Sequence, residues 1–173
     1  LLGSTTYNSN HQPLTSTDAA GRTTTKTYNA LGQILTVTDS ANRTVTLTYE
    51  NNLLKHVDGP LTGTQDRSTY TYDALSRLKT STSAEGYTQT YEYDDFDRVT
   101  RVTFPDATYI ENTYDRLDLV KVRDRRGRIS SYTFDALQRL RATQDPKNLI
   151  TQYAWCRCGD MKELIDPKGQ KTK

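Results

Sequence analysis

The residues best suited to chemistry lie close together near the end of the chain. Trp155, Cys156, Arg157, Cys158, Gly159 and Asp160 include the single Trp and both Cys of the sequence. A Cys-x-Cys pair has three uses: an inert structural thiol pair, a disulfide within or between chains, or a ligand pair for a soft metal. A zinc site needs four ligands. The two imidazoles, His11 and His56, are far away in sequence, so the inert pair ranks first, the disulfide second and a metal at Cys156 and Cys158 last. The numerous Asp residues suggest paired carboxylates for glycoside hydrolysis or a calcium roll. Each lies instead at a turn position where its carboxylate caps backbone amides without a ligand, and the nine-residue period of a calcium roll is absent. No Gly-x-Ser-x-Gly elbow accompanies His11 or His56, and both imidazoles read as surface residues. The expectation is no catalytic residue, no metal, no cofactor and no enzyme.

Two further groups have a binding reading beside a plainer one. Arg123-Asp124-Arg125-Arg126-Gly127-Arg128 is a solvated loop or a phosphate-binding patch; the first is expected, and nucleic acid is not an expected partner. The aromatic residues are available to stack on sugars or bases. Their alternative use is cross-strand packing, at roughly 0.2–1 kcal/mol per pair, and packing is the expected role.

The elements that position these groups follow a beat. Tyr7, Tyr28, Tyr49, Tyr72, Tyr93, Tyr114, Phe134 and Tyr153 recur at steps of 21, 21, 23, 21, 21, 20 and 19 residues. A fixed period of this length marks a repeat architecture. Within a unit, Thr69-Tyr70-Thr71-Tyr72 alternates as a strand does, placing both Tyr on one face. Asp73 then opens a turn, and a slot three residues later needs positive φ; Gly32 fills it in one unit, and Ser76, Asp97 and Gln138 in others. A second strand returns through Ile34, Leu78, Val99, Leu119 or Leu140. The expected core row is Tyr28, Tyr49, Tyr72, Tyr93, Tyr114, Phe134 and Tyr153 with Leu78, Val99 and Leu140.

A second turn joins the units, with Gly21, Asn42, Gly86, Gly127, Asn148 or Gly169 in a left-handed slot. Phe104-Pro105-Asp106-Ala107 puts Ala there, and a different turn is expected. Asp58 to Gly63 reads as a longer loop, and aligning Gly159-Asp160 with Gly32-Gln33 lengthens the last unit's turn by two residues. Two strands and two turns per beat give an all-β fold, a continuous antiparallel meander of about sixteen strands. It is expected to curl into a strip, a partial shell or a closed barrel-like ring. Residues 1–173 are expected to form a single array, a fragment of a longer one.

Composition agrees with a thin core. Hydrophobic residues are 34% of the chain, mean hydropathy is −0.81, and Thr is roughly one residue in six. Twelve Tyr and this much Thr favour strands over disorder. The 23 basic and 21 acidic residues are interspersed, for a net charge of +2, and no apolar run is long enough for a membrane span. A strip with two unpaired edges is expected to pair with another copy or to close, making a homo-oligomer of the isolated chain.

The segments Tyr72-Asp-Ala-Leu-Ser-Arg-Leu78, Tyr93-Asp-Asp-Phe-Asp-Arg-Val99 and Phe134-Asp-Ala-Leu-Gln-Arg-Leu140 resemble the YD repeat, the tyrosine-aspartate repeat of Rhs, toxin-complex and teneurin proteins. The spacers Asp18 to Arg22 and Asp124 to Arg128 match the same pattern. The resemblance implies a β-hairpin strip that spirals into a hollow shell around a C-terminal toxin cargo, secreted or on a bacterial cell surface. It implies a non-enzymatic structural role, with other YD repeats as partners. The alternative is an extracellular carbohydrate- or cell-surface-binding module, using the outer face and the loops at Gly59 to Asp66 and Arg123 to Arg128.

Overall fold

The computed structural model describes residues 3–173; Leu1 and Leu2 lie outside them. All regular structure among the described residues is β. The chain divides into two compact units, Leu1–Gln89 and Thr90–Lys173, with the boundary inside one strand. The first unit holds β1 (Ser4–Tyr7), β2 (Pro13–Thr17), β3 (Thr23–Tyr28), β4 (Ile34–Thr38), β5 (Thr44–Glu50), β6 (Leu53–Asp58), β7 (Ser68–Tyr72), β8 (Leu78–Thr82) and the start of β9 (Thr88–Tyr93). The second holds the rest of β9, then β10 (Val99–Thr103), β11 (Tyr109–Asp115), β12 (Asp118–Arg123), β13 (Ile129–Phe134), β14 (Leu140–Gln144), β15 (Ile150–Trp155), β16 (Met161–Ile165) and β17 (Lys171–Thr172). Every register ladder is antiparallel and joins strands adjacent in the chain. The meander is therefore open, and the closed barrel-like ring among the expected forms is not made.

Most hairpins of both kinds close the same way. An amide at turn position 1 donates to the carbonyl at position 5, and the amide at position 4 donates back to position 1. Asn29–Gln33 and Asp18–Arg22 both do this at 2.9–3.0 Å. Position 4 is left-handed: Gly32 has φ 82°, Gly21 77°, Ser76 64°, Asp97 61° and Gln138 60°. Two hairpins use two-residue tips instead, at Asn51-Asn52 (φ 50° and 65°) and at Arg116-Leu117 (Arg116 φ 52°).

The turn at Phe104 is not a different one. Phe104 N donates to Thr108 O, Ala107 N to Phe104 O, both at 2.9 Å, and Ala107 sits at φ 62°. Asp106 supports it by accepting from the Thr108 amide at 3.1 Å and the Thr108 hydroxyl at 2.6 Å. Local capping thus overrides the left-handed cost of Ala, about 1–2 kcal/mol.

Every hairpin that begins on an aromatic also carries a bulge at one place. Tyr28 pairs with Ile34 but Thr27 with Thr36, leaving Leu35 extra. The same shift leaves Lys79 extra opposite Tyr72, Arg141 opposite Phe134 and Lys162 opposite Trp155. A bulge bends and twists its strand, so after it the strand parts from the next hairpin. The β4–β5 ladder accordingly runs from Thr36–Thr46 to Thr38–Thr44 and does not include Ile34.

Directly opposed residues share a face of the sheet. In the first unit the inner rows include Lys26–Val37–Val45 and Leu47–Val57. In the second they include Tyr91–Val102–Ile110, Tyr132–Thr143–Thr151 and Tyr153–Leu164–Thr172. No side chain among the described residues is fully buried; apart from Thr172, which is exposed, the residues of these rows are half-buried, as one layer of β-sheet dictates. The outer face of the first unit is ruled by Thr, as in Thr15–Thr25–Thr38–Thr44. That of the second unit carries the charge ladder Glu92–Arg101–Glu111–Arg123.

Candidate functional site

The recurring aromatic has a task beyond packing. Its ring lies where the bulge parts one hairpin from the next, and its polar end closes the gap. Tyr28 donates its hydroxyl to the Pro13 carbonyl at 2.8 Å, Tyr49 to Ile34 at 3.0 Å, Tyr72 to Leu54 at 2.8 Å and Tyr114 to Val99 at 3.2 Å. Pro13, Ile34 and Val99 open the return strand of the preceding hairpin and Leu54 is the second residue of its own, each just past the end of the ladder between the two. A backbone carbonyl left unpaired there would lose about a hydrogen bond's worth of stability. Partial burial raises the Tyr72 hydroxyl above its usual pKa, with Tyr70 adding to the effect, which keeps it a donor.

Trp155 makes the same bond, donating Nε1 to the Leu140 carbonyl at 2.7 Å. It therefore occupies the slot assigned by sequence to Tyr153. Tyr153 pairs with Leu164 and Trp155 with Met161, as Tyr132 pairs with Thr143 and Phe134 with Leu140. The last turn is then the five residues Cys156–Asp160, the ordinary length, and no beat is lengthened. The signal was present in Tyr153-x-Trp155, which parallels Tyr132-x-Phe134 and Tyr70-x-Tyr72.

Turn position 1 supplies a cap that organises the tip. The Asp73 carboxylate accepts from the Leu75 and Arg77 amides at 2.9 Å each, and its other oxygen takes Arg77 Nε at 2.8 Å. Asp94 with Arg98 and Asp135 with Arg139 repeat the arrangement. Asn8 and Asn29 make the same amide bonds and use their NH2 to bond Gln12 and Gln33, so an Asn–Gln pair replaces Asp–Arg as a unit. The residue at position 5 then reaches the next tip: Gln12 bonds the Gly32 carbonyl and Gln33 that of Asn52, each at 2.9 Å, and Arg139 that of Cys156 at 2.8 Å. Arg98 also stacks on the Tyr114 ring, 4.1 Å from its centre.

These contacts set the carboxyls' acidity. The Arg77 amide, then its guanidinium, holds Asp73 below the ordinary 3.8 against some desolvation. For Asp94 and Asp135 the Arg98 and Arg139 side chains lead. In the spacer turns the amides of Arg22, Arg43 and Arg128 do the same for Asp18, Asp39 and Asp124. A carboxylate saturated in this way is a poor general acid and has little capacity left for a cation.

The basic cluster is largely committed as well. Arg123 bonds the Tyr109 carbonyl and stacks on its ring at 3.9 Å, with Arg101 on the ring at 3.7 Å. Arg125 pairs with Asp106 at 2.8 Å and stacks on Phe104 at 4.0 Å; Arg128 pairs with Asp124 at 2.7 Å. His11 sits at the left-handed position of its turn (φ 59°), and His56 Nδ1 meets the Thr69 hydroxyl at 3.1 Å. In the longer loop after β6, Arg67 pairs with Asp58 at 2.7 Å and Asp66 accepts from the Leu61 amide at 3.0 Å. Gly86, Gly127, Asn148 and Gly169 all stand in the left-handed slot, at φ 82°, 77°, 64° and 82°, and Asn42 at 58°.

Cys156 and Cys158 are joined as a disulfide, not held as an inert thiol pair. Ligand atoms of Cys156, Cys158 and Asp160 lie within 4.8 Å of one another, but with the sulfurs bonded only one carboxylate is left to offer a cation. Turn position 3 carries Leu31, Leu75, Phe96 and Leu137, each 68–71% exposed, and Leu117 caps its two-residue tip at 68%. The spacer turns have Ala20, Ala41, Glu85, Asp106, Arg126, Lys147 and Lys168 there, so the two kinds of tip differ in character.

A repeated, bulged β-hairpin whose aromatic and acidic residues serve the backbone defines a class, the hairpin-repeat array. Residues 7–44 and 72–109 match the RHS Repeat family, so that two stretches of the array are RHS repeats. Several solved structures have a similar fold. TcdB2-TccC3 aligns with TM-score 0.72 at 15% identity, over 95% of this chain and 11% of that one. TcdB2-TccC3-Cdc42 aligns with TM-score 0.70 at 18% identity, over 86% and 9%. A Photorhabdus luminescens Tc holotoxin pore carrying a TccC3 variant aligns with TM-score 0.51 at 16% identity, over 97% and 9%. At these identities the likeness is one of fold, and this chain spans about a tenth of the length of the chains it matches. No curated protein sequence matches it.

Proposed function

We propose that the chain is a non-enzymatic wall segment, a stretch of β-shell in an Rhs-type protein that encloses a cargo polypeptide. The observation that carries this reading is where the recurring polar groups are spent. In hairpin after hairpin the Tyr hydroxyl goes to a neighbouring backbone carbonyl and the Asp carboxylate to two amides and an Arg. Such a surface has the chemistry of a building material. The toxin-complex assemblies of like fold support an enclosing role, with a toxin segment as the cargo and other YD repeats as the adjoining wall. A secreted or cell-surface location agrees with the disulfide, since disulfides persist in oxidising compartments.

The test is limited proteolysis of the polypeptide that carries this array. The enclosed segment should resist cleavage when the array is intact. It should become cleavable when Tyr28, Tyr49 and Tyr72 are changed together to Phe. Equal cleavage in both proteins would overturn the proposal.

A second reading, a glycan-binding module, draws on one cleft of the second unit lined by Phe134, Arg141, Gln152 and Tyr153. An aromatic with amide and guanidinium donors is a sugar-binding combination. Glycan-array binding lost in Gln152→Ala would favour it over the wall.

A further inference from the structure

We propose that Cys156 and Cys158 are a reversible thiol–disulfide exchange site for small thiol reductants, with Cys158 the sulfur attacked and Cys156 the sulfur released. The other hairpins of the same molecule supply the argument. Where they carry Asp at turn position 1, one carboxylate oxygen accepts the amides of positions 3 and 5: 2.9 and 2.9 Å for Asp73, 2.9 and 3.0 Å for Asp135. In the last turn Cys156 holds position 1, and its sulfur accepts the Cys158 and Asp160 amides at 3.1 and 3.3 Å. The backbone of the turn is the same, with Cys156 N donating to Asp160 O at 2.9 Å and Gly159 N to Cys156 O at 3.3 Å; position 5 is Asp160 in place of Arg, and Asp145 makes the same two amide bonds at 2.8 and 2.9 Å with Leu149 there. A site that elsewhere holds an anion is therefore ready for a thiolate at Cys156, without rearrangement of the backbone.

Cys158 is placed to be the point of attack. It occupies position 3, where the siblings Leu31, Leu75 and Leu137 are about seven-tenths exposed, and it is itself exposed whereas Cys156 is half-buried. Gly159 beside it has nothing within 4 Å of where a side chain would begin. The Asp160 carboxylate lies 3.6 Å from Cys158 Sγ, and its charge disfavours a second anion on that sulfur. The better-stabilised thiolate is the better leaving group, so the asymmetry selects Cys156 to depart.

The exchange balances in two steps. A thiolate RS⁻ attacks Cys158 Sγ, the R–S–Sγ bond forms, the Cys156–Cys158 bond breaks, and its electron pair departs on Cys156 Sγ. A second RS⁻ attacks the R sulfur, forming RSSR and releasing Cys158, and the two protons of the original thiols pass to the two cysteines. The protein disulfide gains two electrons and the two thiols lose them.

Reduced glutathione is the probe. Acid-quenched peptide mapping of the wild-type chain should find the mixed disulfide on Cys158. In single-cysteine variants at neutral pH, the thiol left by Cys158→Ser should react with iodoacetamide about tenfold faster than the one left by Cys156→Ser. Cys156→Asp restores the siblings' cap, and its unchanged melt would show that the turn tolerates the exchange of groups. A mixed disulfide on Cys156, or equal or reversed alkylation rates, would overturn the proposal. So would two free thiols in the purified chain that oxidised glutathione fails to join.

Discussion

Replacing Tyr72 by Phe removes one oxygen atom and leaves the ring. The hydroxyl donates to the Leu54 carbonyl at 2.8 Å, and the β6–β7 ladder pairs His56 with Thr69 and Val57 with Ser68 but does not reach Leu54. A typical hydrogen bond contributes about 0.5–1.5 kcal/mol net, and an acceptor left unsatisfied costs about 1–3 kcal/mol when buried. Tyr72 is half-buried and water regains some access to the carbonyl, so the expected loss is about 1 kcal/mol. Urea denaturation followed by circular dichroism reads it as a lowered midpoint at unchanged slope. Tyr28→Phe should lose about as much, and Tyr114→Phe less, because the Val99 carbonyl also accepts Asn112 Nδ2 at 3.0 Å. The array contains its own reverse experiment, because Phe134 fills the same slot without a hydroxyl, and Phe134→Tyr should gain a bond to Leu119. Midpoints unchanged in all three Tyr variants would refute the idea that the phenol ties hairpin to hairpin, and would return these residues to packing alone.

Asp73→Asn keeps the two amide bonds that Asn29 makes but turns an NH2 toward the Arg77 Nε–H, so it should lower the midpoint less than Asp73→Ala, which loses the cap as well; equal melts of the two variants would count against the capping role. Ala107→Gly should raise stability by about 1 kcal/mol through relief of the left-handed Ala, whereas Gly32→Ala, at φ 82° and with its new Cβ 2.7 Å from Gln12 Nε2, should lower it. Stability should also depend on acid. The Asp carboxyls are held below 3.8 by amides and Arg side chains. Their contribution is complete above that pH and is lost as pH falls through the lower folded values. Asp73→Asn should flatten the acid limb of a melting-temperature profile, and an unaltered limb would show the cap to be idle.

The beat, the strands and the left-handed slots are legible in the sequence because each is a local requirement. A Gly or Asn three residues after an Asp is a turn by backbone sterics alone, and Tyr70-x-Tyr72 is a strand by alternation. The bulge is not legible, since Leu35, Lys79 and Arg141 share no residue type; its position follows from the twist the hairpin takes. Without the bulge there was no sign that a Tyr hydroxyl would be needed by the preceding hairpin, so the aromatics looked like packing only. Trp155 falls outside a pattern of Tyr or Phe, yet it fits a site that takes a ring with a donor at its far edge. Ala107 shows the opposite failure: a residue poor for its slot is retained because Asp106 and Thr108 stabilise the turn around it. The exposed Leu and Phe tips are invisible to periodicity, as they sit on loops that alternation does not govern.

The central claim is that the recurring carboxylates serve the backbone and not a ligand. Its most direct test is a nuclear magnetic resonance titration of the Asp side-chain carboxyls, with and without calcium. The account predicts that Asp73, Asp94, Asp124 and Asp135 each titrate below the ordinary 3.8 and that calcium leaves them unmoved. Titration at or above that value, or a calcium-dependent shift at these residues, would contradict it.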